Sequence, residues 1–127
     1  MTTNAEYVLA KQSGDAAFYA AVEVQVDVVA ITERTQALDI SPPSNAPADW
    51  CRAVEFGIHY AGEHLPRSQR FGKKYAVTVI SIKGHPVDTT LIVIAFAAAK
   101  AFWKAVGSDG PAGFELDVSA RVFHVPK

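Results

Sequence analysis

Phe18-Tyr19-Ala20-Ala21-Val22-Glu23-Val24-Gln25-Val26-Asp27-Val28 is the stretch that decides the fold. Its even positions, Phe18, Ala20, Val22, Val24, Val26 and Val28, are all apolar, and Glu23, Gln25 and Asp27 fall between them. Successive side chains of a strand point to opposite faces. The alternation therefore predicts a half-buried strand with one wet face. Upstream, Glu6 to Lys11 reads as a second strand. Gln12-Ser13-Gly14-Asp15 is turn chemistry, so the two strands are expected to form a hairpin across Ser13 to Ala17.

Downstream, Thr32 to Pro47 is rich in Ser, Pro, Asn and Asp and reads as a loop. From Asp49 to Leu65 the period changes. Trp50, Ala53, Val54, Gly57, Ile58, Ala61 and Leu65 recur at three- and four-residue steps, which predicts a helix. Pro47 and Asp49 suit its first turn, Ser44 or Asn45 could cap it, and Pro66 ends it. Arg67 to Lys74 is a basic connector, Tyr75 to Lys83 a strand and Gly84-His85-Pro86 a turn. Thr89 to Val106 is locally ambiguous: Leu91 to Phe96 has strand composition, and Ala97 to Ala101 has helix composition. A single helix fits the caps at both ends, Asp88 or Thr89 and Gly107. Glu115 to Val125 alternates again and is expected as the last strand. The order β-β-α-β-α-β predicts an α+β two-layer sandwich, a mixed four-stranded sheet with two helices on one face.

The composition fits a single domain over residues 1–127. Half of the 127 residues are apolar, a fifth are charged, and the mean hydropathy is +0.11. Twelve Lys and Arg against thirteen Asp and Glu give a net charge of −1, which disfavours a wholesale cationic nucleic-acid binder. Cys51 is the only cysteine, so no internal disulfide or thiolate cluster is expected. The longest apolar run, Leu91 to Ala99, has nine residues. A membrane span needs about 20, so no membrane association is expected. The start of the chain has no basic residue before an apolar run, and cytoplasm is the default location. No phosphate-binding loop, dinucleotide Gly pattern or nucleophile elbow occurs. We find no nucleophile-base-orienter set and no metal-ligand spacing, so no enzyme activity, cofactor or metal is expected.

Four segments together resemble domain IV of translation elongation factor G. They are Lys11 to Val22; Pro47 to Ala61 (PADWCRAVEFGIHYA), with its Pro, aromatic, Ala-Val, Gly-Ile and Ala spacing; Val87-Asp88-Thr89-Thr90 with its run to Val106; and Arg121 to Val125. The resemblance covers most of the chain and reads Leu91 to Phe96 as helix. It implies a stand-alone relative of a domain that reaches the decoding site of the small ribosomal subunit and carries no catalytic activity. The implied role is association with the ribosome or RNA.

The departures from that family locate the candidate sites. The two tip loops are represented here by Gly14 and Asp15, with an acid where the family has a basic residue, and by Gly84 and His85 in a shortened second loop. On the helices, positions that the family charges are Phe56, Tyr60, Leu91, Ala95 and Trp103. If they face away from the sheet, they form an apolar patch expected to meet a partner, most simply a second copy in a homodimer. The alternative is that the helices are rotated and these side chains are core. A third candidate is the basic connector. Residues 66–104 carry a net +6, and Arg67, Arg70, Lys73 and Lys74 flank Phe71 in a pattern suited to phosphate backbones. Its other reading is a solvated connector. A homo-oligomeric or small-ligand-binding protein that reuses the fold is the second functional expectation.

Overall fold

The computed structural model describes residues 2–13, 16–32, 37–43, 46–66, 69, 72–84, 91–108, 115–117 and 122–124. The alternating stretch lies in β2 (Ala16–Ala30), which pairs antiparallel with β1 (Thr2–Ser13) from Thr2↔Asp27 to Ser13↔Ala16. On its other side β2 pairs antiparallel with β4 (Lys73–Gly84), from Ala20↔Gly84 to Ala30↔Lys73. Val22, Val24 and Val26 are fully buried, as the period-two pattern requires. A β-bulge between Glu23 and Val24 leaves Ile80 of β4 without a partner in the register.

The fourth strand of the sheet is β3 (Ala37–Ser41), parallel to β4 from Ala37↔Lys74 to Ser41↔Thr78. It lies inside the segment read as a loop. Its apolar side chains Leu38 and Ile40 are only partly buried at a sheet edge, so five residues among turn formers left a weak pattern. The terminal segment differs in the other direction. Instead of one strand in the main sheet it forms a separate two-stranded ribbon, β5 (Glu115–Asp117) antiparallel to β6 (Val122–His124). The class is as read: a mixed four-stranded sheet, here in the order β1-β2-β4-β3, with two helices.

Helix α1 (Ala48–Glu63) starts at Pro47, which supplies no side-chain cap. The first intrahelical bond runs from the Cys51 N–H to the Pro47 carbonyl, and Asp49 accepts the Trp50 N–H in the first turn. The expected caps Ser44, Asn45, Asp88 and Thr89 lie outside the described residues. The buried stripe of α1 is Ala53, Val54, Gly57, Ile58, Ala61 and Gly62. Helix α2 (Leu91–Ala105) is buried on almost every side, from Val93 to Ala99 and at Ala101, Phe102, Trp103 and Ala105. It packs on β1 and β2 on one side and on α1 on the other. A helix enclosed in this way is apolar all round, and that is why its first half could be mistaken for a strand. It closes at Gly107, whose φ of 74° suits glycine, with Ser108 N–H bonded to the Trp103 carbonyl and Gly107 N–H to the Lys104 carbonyl.

Four contacts fix the directions. Phe96 meets Tyr7 edge-on in the middle of the sheet, and Phe102 meets Tyr75 near the start of β4, so α2 runs from the Gly84 end of the sheet to the Lys73 end. Gly57 of α1 lies against Ala95, and the Ala61 carbonyl lies against Trp103, so α1 runs in the same sense. Both helices therefore begin toward the Gly84 end. Gln69, in the connector, is tied to the Lys73 end: its side chain donates to the Val106 carbonyl, and its own carbonyl accepts the Tyr75 hydroxyl. Burial pushes the Tyr75 phenol above its ordinary value.

Candidate functional site

An apolar groove of about 290 Å³ opens between the first halves of α1 and α2. Asp49, Arg52, Ala53 and Phe56 line it from α1; Leu91, Ile92 and Ala95 line it from α2. The spacing 49, 52, 53, 56 is one helical stripe, and 91, 92, 95 is another. Phe56 is 60% exposed and Leu91 48%, so the walls of the groove present large apolar side chains to solvent. The floor is small because the helices touch just beyond it. A Cβ on Gly57 would stand 2.2 Å from the Ala95 carbonyl oxygen, a spacing that only glycine permits. Asp49 and Arg52 are exposed at the rim.

The five apolar candidates on the helices thus divide. Phe56 and Leu91 are exposed, as an outward face requires. Ala95 is buried at the floor of the groove. Trp103 is not outward at all. It is 1% exposed, and its indole N–H donates to the Ala61 carbonyl at 2.9 Å. The reason is that α1 covers the side of α2 that an outer face would need. Tyr60 is half-buried, stacked on the His64 ring at 4.2 Å and edge-on to Trp103. Those two aromatics belong to the helix-helix contact, so the rotated-helix alternative holds for Trp103 and the outward one for Phe56 and Leu91. Arg52 was missed as a rim residue, although the stripe it shares with Asp49 and Phe56 was legible in the spacing.

The other two candidate sites stand at opposite ends of the sheet. Gly84 pairs with Ala20 at the end where the β1–β2 hairpin turns. The tip residues Gly14, Asp15 and His85 lie outside the described residues. Lys73 and Lys74 open β4 at the far end, roughly 36 Å away along a twelve-residue strand. Arg67 and Arg70 also lie outside the described residues. The Lys74 ammonium is 3.5 Å from the Asp39 carboxylate across the β3–β4 pair, an exposed bridge worth less than about 1 kcal/mol. Both helices end toward the connector. Among the described residues no group of three or more His, Cys, Asp or Glu could hold a metal ion, and no helix is long and apolar enough to cross a membrane.

No family model matches the chain, and no curated protein matches it. Among solved structures, a protein from Thermus thermophilus aligns with 86% of this chain at a TM-score of 0.64 and 20% identity. The likeness shows a shared fold. This chain spans only 16% of the Thermus chain, so the match is to one part of a larger protein. A mevalonate diphosphate decarboxylase from Legionella pneumophila aligns over 88% of this chain and 43% of its own, but at a TM-score of 0.27 and 9% identity, which is too loose an overlap to bear on the fold.

Proposed function

We propose that this chain is a non-enzymatic binding module with a fold like domain IV of elongation factor G, and that its working surface is the groove between α1 and α2. The family reading is supported by the four sequence segments and by the element order they occupy. The observation that carries the functional reading is the exposure of Phe56 and Leu91 on the walls of an apolar recess. Covering the exposed parts of both side chains is worth about 2 kcal/mol, so the groove favours an apolar occupant. Titration with the anionic dye ANS at about 1 µM protein tests it, a concentration at which weak self-association is negligible. Dye fluorescence is expected to rise with the wild type, to be lost in Phe56→Glu with Leu91→Glu, and to persist in Lys73→Glu with Lys74→Glu. Equal dye binding in all three proteins contradicts the reading.

A second reading, association with the ribosome or RNA through the basic connector, is favoured by the net +6 of residues 66–104. It requires co-sedimentation with ribosomes that weakens with salt and fails when Arg67, Arg70, Lys73 and Lys74 are neutralised. Pelleting that is indifferent to those four residues excludes it.

A further inference from the structure

We infer that the occupant of the groove is a second copy of this chain, joined about a twofold axis with each Phe56 seated in the other's recess. The inference rests on the groove being the working surface. In a twofold pair the same patch meets itself: if residue i touches j, then j touches i. A patch suits that arrangement when it carries both halves of each contact, and the α1 stripe does. Phe56 is exposed beside the recess that it helps to line with Ala53 and Ala95. A ring that borders its own recess can enter the partner's while the partner's ring enters its own. The recess of about 290 Å³ accepts a phenyl ring.

The charges repeat the pattern. Asp49 and Arg52 stand about one helical turn apart on the rim, one of each sign, both exposed. Asp49 and Arg52 form no salt bridge with each other within the chain. Across a twofold axis, Asp49 of each copy faces Arg52 of the other, so every rim charge is answered and the pair occurs twice. An acidic or a basic partner would answer only one of them. A contact centred on two large side chains per copy belongs to the small, transient class of interface, below about 1,200 Å². The pair is therefore expected to form with a dissociation constant on the order of 100 µM.

Sedimentation velocity between about 5 µM and about 1 mM reads this directly. The wild-type mass is expected to rise from one chain to two over that range. Asp49→Arg alone and Arg52→Asp alone each place like charges across the axis twice, and each is expected to weaken association at least about tenfold. An equimolar mixture of those two variants places Arg against Asp at both positions and is expected to recover the dimer. Recovery also shows that both variants are folded. A wild type that stays a single chain at about 1 mM overturns the inference, while dye binding at low concentration still decides whether the groove is the working surface. A dimer that survives both charge variants and Phe56→Glu overturns the inference, and the dye titration again decides the groove reading separately. Loss in each variant without recovery in the mixture overturns the twofold arrangement.

Discussion

Gly57→Ala is expected to destabilise the protein by about 2–4 kcal/mol, although alanine is the better helix former. On propensity alone the change would stabilise α1 by nearly 1 kcal/mol. The added methyl would lie 2.2 Å from the Ala95 carbonyl oxygen, 2.9 Å from its carbon and 3.0 Å from the Ala95 Cα. All three are backbone atoms of a buried helix, so no rotamer change relieves the clash and the helices must move apart. That separation would loosen Ile58 and Ile94, which are fully buried in the shared core. Urea unfolding followed by far-UV circular dichroism checks it: the midpoint is expected to fall with little change in slope. A variant as stable as the wild type would mean that the two helices do not approach this closely.

Trp103→Ala is expected to cost about 3–5 kcal/mol, the usual range for removing a fully buried large aromatic. Trp103 is among the largest fully buried side chains, and it joins α2 to α1 through both its ring and its N–H. Trp103→Phe separates the two contributions. It keeps most of the apolar volume and leaves the Ala61 carbonyl without that donor, for an expected loss of about 1–3 kcal/mol. The same unfolding series measures both variants. A cost below about 1 kcal/mol for Trp103→Ala would place the indole in solvent, as the outward reading of α2 had it.

These two sites show where the sequence was informative and where it was not. The Val22-Val24-Val26 alternation and the three-four spacing of α1 are periodic, and a periodic pattern is set by burial on one face, so both elements were legible. Ala37–Ser41 was not, because a short edge strand buries too little to impose a period. The facing of α2 was not legible either. A helix buried between a sheet and another helix has no polar face to orient it, and Trp103 could be assigned inward only once α1 was seen to cover it. Phe56 was easier: it stands where the resembled family carries a charge, so a large apolar side chain there marked an outward position. The groove needed the crossing of the helices. Asp49, Arg52 and Phe56 share a stripe in the sequence, but only the Gly57–Ala95 contact brings Leu91 and Ile92 opposite them.

The same geometry separates the candidate surfaces. The groove lies toward the end where β4 finishes, and the lysines of the connector lie at the end where β4 begins. Their effects can be read apart, because neither Lys73 nor Lys74 lines the groove.

The most direct measurement is a series of two-dimensional amide and methyl NMR spectra recorded from about 20 µM to about 1 mM protein. Concentration-dependent shifts are expected at Arg52, Phe56, Leu91 and Ile92, with Lys73 and Lys74 unchanged. Spectra that do not change with concentration, or shifts centred on Lys73 and Lys74, would contradict the assignment of the groove as the surface through which this protein pairs.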